Sequence, residues 1–515
     1  MASAELVIGL VGHAGSGCTS ISTALYAALL ASGYQVHQIK LSGIIEARLP
    51  AGALPQIRST PEFKGIDQLK RARVLQDAGD GIRENQEYIL ASLAIEKIRE
   101  LRGDAPVGGK KIAYLLDSLK NVAEVQLLRD VYGSTFRLVA VHCDYDRRFK
   151  RLFGQIGADA KFAGAPLQDV IDFMSRDEMD KSRNGQQVRE VFHLADYFVD
   201  DNKDEKINIQ NNANLKRFCE ILLGSGFHRP TAEETAMYTA FSAALRSSCL
   251  SRQVGAALAS EHGQIISIGS NDVPKYGGGT YVEGSKPDCR CAVWEWSSID
   301  GKLNFQGCHN SRHKKLIAEE IRDAVVSQIT AGISTASKSL SESEHKVVAK
   351  AIAAYLGNAP VDLNIPRIKD LVEYSRSIHA EMDAIFSAAR QGTSTRNTML
   401  FCTTFPCHNC ARHLVTAGVK QVFYVEPYVK SLAIDLHSDS IRTSNSAEAE
   451  KQTHMLILPF TGVGPRMYED HFIKSGELKD ENGAFTPPTG TRPVMGARIG
   501  ALETIEKQAV ELINK

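Results

Sequence analysis

The residues ELVIGLVGHAGSGCTS, 5–20, constrain the fold of this chain more than any others. A short apolar run, Leu6 to Val11, ends on a turn with glycines at 12, 15 and 17. A helical pattern follows from about Thr19 to Ser32. A buried strand that feeds a helix across a tight turn opens a βαβ unit, and the crossover requires a parallel partner strand. The alternation continues. QVHQIKLS reads as a strand. NQEYILASLAIEKIRELRG carries Ile89, Leu90, Leu93, Ile95 and Ile98 at helical spacing and closes at Gly103. KIAYLLDS is a buried strand ending in Asp117, EVQLLRDVYG a helix with a terminal glycine, FRLVAVHCD the next strand and ADYFVDDN a later one. Residues 1–224 therefore predict an α/β domain around a parallel sheet.

The turn itself has the spacing of a phosphate-cradling loop, G-x-x-x-x-G-K-[ST], over Gly12, Gly15, Gly17 and Thr19. Cys18 stands where the lysine belongs. Backbone N–H groups of such a turn still hold an anion. Thr19 can reach Mg2+, with Asp117 as a supporting carboxylate. The missing lysine removes charge stabilisation from phosphoryl transfer, so the loop reads as a nucleotide-binding regulatory site ahead of a kinase site. A structural relic is the alternative. Lys40 or an arginine from 147–151 is a candidate replacement cation. The basic run DRRFKRLFG reads equally as a lid over phosphates or as a solvated helix face.

A chain of 515 residues is too long for one core. GSGFHRPTAEE, 224–234, marks a boundary, and 231–473 reads as a second domain. It opens with the helix TAEETAMYTAFSAALRSSC and a hairpin, QVGAALASEHGQIISIGSN. Residues from about 274 to 374 form an irregular and helical insert whose stretch GISTASKSLSESE reads as a solvated loop. Cys289, Cys291, Cys308 and His309 lie in that insert. They raise the expectation of a second, structural zinc site, against unligated thiols. Trp294 and Trp296 read as packing residues. Residues 474–515 are a Gly-, Pro- and Thr-rich tail with a short helix. Lys+Arg and Asp+Glu are both 60, which argues against duplex binding. No apolar run approaches the ~18–20 residues that span a bilayer. Ten cysteines without an export signal point to a cytoplasmic, metal-binding use of thiols.

The chemistry concentrates in HAE, 379–381, and PCHNC, 406–410. His379, Cys407 and Cys410 supply imidazole and thiolate ligands for Zn2+. The fourth position is left to a water whose acidity the metal raises. Glu381 lies two residues from a ligand, placed to handle that water's protons without binding the metal. Met382, Ile385, Phe386 and Ala389 have helical spacing and end at Gly392, so HAE starts a helix. TMLFCTT is a strand, Pro406 suits a first helical turn, and Gly418 closes the helix that follows. The helix N-terminus favours thiolate at both cysteines. The pattern is the H-x-E…P-C-x-x-C of zinc deaminases. His408 and His413 read as solvated or supporting groups rather than ligands.

At these residues the chain resembles the cytidine/deoxycytidylate deaminase superfamily. ALRSSCLSRQVGAALAS and QIISIGSNDVP are similar to the opening of deoxycytidylate deaminases. The resemblance implies a three-layer α/β/α domain, with Asn271 contacting the nucleotide and Arg246 or Arg252 near its phosphate. HAEMDAI departs from H-A-E-x-N-A-I at Asp383. The first half resembles P-loop nucleotide kinases, through YLLDSLKNVAEVQLLRDVYGSTFRLVAVHCDYDRRFKRL and ADYFVDDN. The two halves together, with EPYVKSLAIDLHSDSI, resemble bacterial anti-phage dCTP/dCMP deaminases. That implies hydrolytic deamination of a free deoxycytidine nucleotide, a regulatory nucleotide or inhibitor, assembly into a homo-oligomer, and no membrane partner. A polynucleotide deaminase acting on flipped bases and a P-loop kinase with a structural zinc domain are the competing readings.

Overall fold

The computed structural model describes residues 4–58, 60–103, 110–153, 161–201, 205–293, 306–336, 341–344, 346–348, 350–351, 371, 373–428, 431–443, 451, 453–474, 478–486 and 499–514. The strands in chain order are β1 Leu6–Val11, β2 Gln35–Lys40, β3 Ile112–Asp117, β4 Phe136–His142, β5 Tyr197–Asp200, β6 Gly255–Ala259, β7 Ile265–Ser270, β8 Met399–Thr404, β9 Gln421–Glu426, β10 Ile441–Thr443, β11 Met455–Pro459 and β12 Gly462–Val463. The chain is α/β and forms two compact units. The first holds residues 1–238, 423–427 and 457–515. The second holds 239–422 and 428–456.

The sheet of the first unit runs β12-β5-β4-β1-β3-β2. Its five early strands pair in parallel, and β12 lies antiparallel on β5. Every residue of β1 is buried, as are six of seven in β4. Such strands need cover on both faces. Between β3 and β4, β1 is the point where crossovers change direction, and the glycine turn opens at its carboxyl end. Ligand crevices of open α/β sheets form at such a point. The helix Cys18–Ala31 then packs Ile21, Leu25 and Leu29 into the core with Leu6, Ile8, Leu10 and Phe218. Gly103 and Gly133 take positive φ just past the helices Ile89–Arg102 and Val122–Tyr132, a backbone conformation that glycine adopts without a Cβ penalty.

The domain ends differ from the sequence expectation. Residues 457–473 were expected in the second domain and 474–515 as a tail. Both belong to the first unit, which also extends to Tyr238. The reason is pairing. β12 covers β5, which would otherwise leave an open edge. Glu234 accepts from the backbone N–H of Val463 at 2.8 Å and from Arg217 at 2.7 Å, and it caps its own helix through Thr231. The helix Ile499–Glu511 buries Leu502 and Ala509, and Arg102 bonds both Glu5 and Glu506.

The second sheet runs β10-β11-β9-β8-β6-β7, with β6 antiparallel to both β7 and β8. The β6–β7 hairpin forms as expected, with the two strands antiparallel. A Cβ on Gly255 would stand 2.0 Å from the Ala240 carbonyl, and one on Gly269 2.1 Å from the Ala380 carbonyl. Gly269 pairs with Ala256, next to Gly255, so the two glycines face opposite sides of the sheet. One helix therefore lies directly on each face, which makes three layers. In the insert, the helix His309–Ala336 runs through the first residues of the Ser/Thr-rich stretch expected to be a loop. Ser and Thr cost a long helix only tenths of a kcal/mol each. Residues 337–340, Trp294 and Trp296 lie outside the described residues.

Candidate metal centre and active site

Local sequence places the donors. His379 is the N-cap of the helix Ala380–Arg390, and Cys407 is the N-cap of the helix His408–Thr416. Pro406 therefore precedes the cap rather than sitting in the first turn, because the Cys407 sulfur itself accepts the capping bond from the N–H of Cys410 at 3.5 Å. Gly269 lets the first helix press on β7. Two bonds then fix its start: Ser267 Oγ donates to the Ala384 carbonyl at 2.8 Å, and Ser270 N–H donates to Asp383 at 3.1 Å.

His379 Nδ1 lies 3.3 Å from Cys410 Sγ and 3.4 Å from Cys407 Sγ. The three donor atoms all fall within 4.8 Å of one another, the one such group among the described residues. A tetrahedral zinc with one nitrogen and two sulfur ligands separates N from S by about 3.5 Å, so the donor set fits the ion. Hydrogen bonds from Cys410 and His379 hold the Cys407 thiol well below the usual thiol range, as thiolate. Burial pushes Cys410 far up. The bond to Cys407 raises His379. Two thiolates around a dication would make the cluster neutral, which removes the penalty of burying them.

Glu381 is 4% exposed, in the first turn after His379. Its carboxyl bonds on the Cys410 side, and burial pushes its pKa above the ordinary glutamate range. A carboxylate with raised proton affinity beside a metal site suits proton transfer in both directions.

The other expected site residues are distributed differently. Asn271 is buried and braces a loop: its Oδ1 accepts from Val254 N–H and its Nδ2 donates to the Arg252 carbonyl, both at 2.7 Å. The next residue, Asp272, lends its carbonyl to Ile378 N–H at 2.9 Å, one residue before His379. Arg252 is exposed. Arg246 lines a surface cavity with Asp383, Ser387 and Arg390. Asp272 escaped the sequence reading. Its buried carboxylate accepts from Ser248 N–H and hydroxyl at 2.8–2.9 Å and ties the loop after the helix Ala232–Ala244 to the segment that follows β7. The SS in RSSC was the available signal. His413 bonds the Asn409 carbonyl, and His408 lies 3.7 Å from Glu373. No three of Cys289, Cys291, Cys308 and His309 bring donor atoms within 4.8 Å of one another among the described residues. Cys289 instead bonds the Tyr281 hydroxyl, and Cys308 accepts from Ser311. Spacing along an irregular loop does not fix where its thiols point.

In the first unit, Gly15 and Gly17 take positive φ in the turn. Thr19 Oγ1 donates to Asp117 at 3.0 Å. Burial and Asp117 push the Cys18 thiol up to about 12, so it stays neutral.

One imidazole, two thiols and a buried glutamate at two helix starts are the residue types of the H-x-E…P-C-x-x-C zinc pattern. Residues 230–426 match the family model of the cytidine and deoxycytidylate deaminase zinc-binding region. Over 54 residues the chain is 39% identical to ComE operon protein 2 of Bacillus subtilis (strain 168) and 41% identical to the deoxycytidylate deaminase of Enterobacteria phage T4. Each match is 10% of this chain, and they are 29% and 28% of those proteins. The chain thus spans less than a third of the length of these relatives. A crystal structure of dCMP deaminase from the cyanophage S-TIM5 aligns at 17% identity and a TM-score of 0.22, covering 45% of this chain and 100% of that one. The family match itself places a cytidine and deoxycytidylate deaminase zinc-binding region at residues 230–426. No helix among the described residues is long and apolar enough to cross a membrane.

Proposed function

We propose that this chain hydrolyses the amino group of a free deoxycytidine nucleotide, dCMP or dCTP, to give the uracil nucleotide and ammonia. The observation that carries the reading is Glu381, buried beside the His379, Cys407 and Cys410 donors. A zinc ion on those three donors would supply the Lewis acidity that makes a water nucleophilic at neutral pH. Glu381 takes one proton as the oxygen of the water adds to C4 of the cytosine, and passes it to N3. It then carries the proton of the new C4 hydroxyl to the amine, so the C4–N bond breaks, water is consumed and ammonia leaves. Asn271 is assigned to the nucleoside and Arg246 or Arg252 to the phosphate. The Asp272–Ile378 bond supports the first assignment by bringing that loop to the ligand helix.

The same reading gives the first unit a regulatory nucleotide at Gly12–Thr19, with Mg2+ at Thr19 and Asp117. The Thr19–Asp117 bond, which pairs a hydroxyl with a carboxylate at the turn, supports it. It also assigns the chain a homo-oligomeric state, a cytoplasmic location and a part in depleting deoxycytidine nucleotides against phage, all from its resemblance to that family. Purified protein should release ammonia from dCMP or dCTP. Glu381→Gln should lower the rate by about 10²–10⁴-fold with bound zinc unchanged. Full activity in that variant, or activity on oligonucleotides with none on mononucleotides, overturns the reading.

A further inference from the structure

The turn at Gly12–Thr19 is already holding an anion, and the anion belongs to the chain. Asp177, 3% exposed on the helix Leu167–Glu178, accepts from the Ala14 N–H through Oδ2 at 2.6 Å. Its Oδ1 takes a bond from Lys120 Nζ at 2.7 Å, and the same ammonium donates to the Gly12 carbonyl at 3.1 Å. Lys120 follows β3, not the turn, so it reaches the turn from a different strand than the missing lysine would. A loop N–H and an ammonium meeting on one carboxylate is the arrangement a phosphate oxygen takes in such a turn.

A second observation points to a ligand. Arg148 is 6% exposed, and its Nε and one terminal nitrogen are buried without a hydrogen-bond partner. Unsatisfied guanidinium donors cost the fold free energy. Arg148 belongs to the helix Tyr145–Phe153, whose backbone approaches Gly15. Its charge is the foremost one felt by His13 in the turn, and the carboxylates of Glu178 and then Asp177 are the foremost charges felt by Arg148 itself. Arg151, one turn along, is committed: it donates to the Gly15 carbonyl at 3.0 Å and to Asp201 at 3.2 Å. Of the basic run DRRFKRLFG, Arg148 therefore keeps donors in reserve.

We propose that Gly12–Thr19 is a phosphate site whose charge partners are Arg148 and Lys120 in place of a lysine at position 18, and that Asp177 is the resident carboxylate the phosphate displaces. This rests on the nucleotide reading of the first unit and says what holds the ligand. The ligand is a phosphate chain, either free or as the tail of a nucleotide. Displacement frees Lys120 for the phosphate and gives Arg148 the acceptor its donors lack.

Calorimetric titration of the full chain with pyrophosphate, ATP and adenosine tests it. Pyrophosphate and ATP should bind and adenosine should not. ATP binding with pyrophosphate silent would restrict the ligand to nucleotides and support the same site. Asp177→Asn, which removes the competing charge, should tighten pyrophosphate or ATP at least fivefold. Arg148→Gln should weaken it at least tenfold, and Arg148→Lys should recover part of the loss. Thermal melts of each variant separate lost binding from lost folding. If Arg148→Gln fails to fold, the Asp177→Asn result decides. Binding left unchanged by folded Asp177→Asn and Arg148→Gln overturns the proposal while the nucleotide reading survives. No binding to the wild type or to Asp177→Asn overturns both.

Discussion

Glu5 and Glu381 are both buried carboxylates, and their neighbours assign them opposite work. Glu5 meets the Arg102 guanidinium at 2.8 Å and serves the fold. Glu381 lies among His379, Cys407 and Cys410, where burial raises its pKa against the opposing charge of His379. A group so placed is poised to exchange protons. The ligands make a separate prediction. Cys407→Ser should lower zinc affinity at least ~100-fold, read by metal analysis of dialysed protein, and retention of a full equivalent would remove Cys407 from the donor set. His471 supplies a pH effect away from the site. Burial, then the charge of Arg137, push it down to about 3. It is neutral in the fold but free to protonate near 6.5 when unfolded. The unfolded chain therefore holds the extra proton between those values. This contribution to stability is complete above about pH 6.5 and is lost as pH falls toward 3, by at most about 1.4 kcal/mol per pH unit. Melting temperatures from pH 7 to 4.5 should fall less steeply in His471→Gln than in the wild type. Parallel curves would show that His471 contributes nothing.

At the scale of elements, two glycines do what no side chain can. The helix that begins at His379 touches β7 because Gly269 has no Cβ. Gly269→Ala places a methyl 2.1 Å from a backbone carbonyl, so the helix must move outward and carry His379 and Glu381 with it. The expected cost is about 1–3 kcal/mol of stability, and a shift of this size should lower the deamination rate about 10²-fold. Unfolding curves and rates measured on the same preparation check both. Wild-type activity in the alanine variant would show that the helix position is not set here. The glycines in GAALA and IISIGS were visible in the sequence, but their purpose was not. A glycine in a strand signals a bend or a close approach, and only the packed helix says which. The donor constellation was legible for a simpler reason. Ligand identity, cap position and helix start are all local, so HAE and PCHNC announce their geometry within a few residues.

At the scale of the whole molecule, the order of the chain and the order of the packing part company after β11. Residues 457–515 return to the first unit, and the Arg102 side chain is locked between Glu5 and Glu506, the latter fully buried. Removing Glu506 leaves the Arg102–Glu5 pair but strands the Nη1 donor of the buried guanidinium, which bonds Glu506. Glu506→Ala should therefore cost about 1–3 kcal/mol in the first unit, seen as a lower denaturant midpoint, and an unchanged midpoint would show that the terminal helix is not held by this bond. Nothing local distinguishes Glu506 from any exposed glutamate of an amphipathic helix, since its partners stand some 400 residues earlier in the chain. Legible from the sequence alone were the α/β class, the parallel sheet behind the glycine turn, the hairpin, and the donor residues His379, Cys407 and Cys410 with Glu381 beside them, because each depends on periodicity or spacing within one or two elements. Only the tertiary structure decided which residues close the first unit, which loop cysteines fail to converge, and that Asp177, Lys120 and Arg148 meet at the turn. Those are contacts between segments far apart in the chain, set by sheet order and helix packing, and no local pattern encodes them.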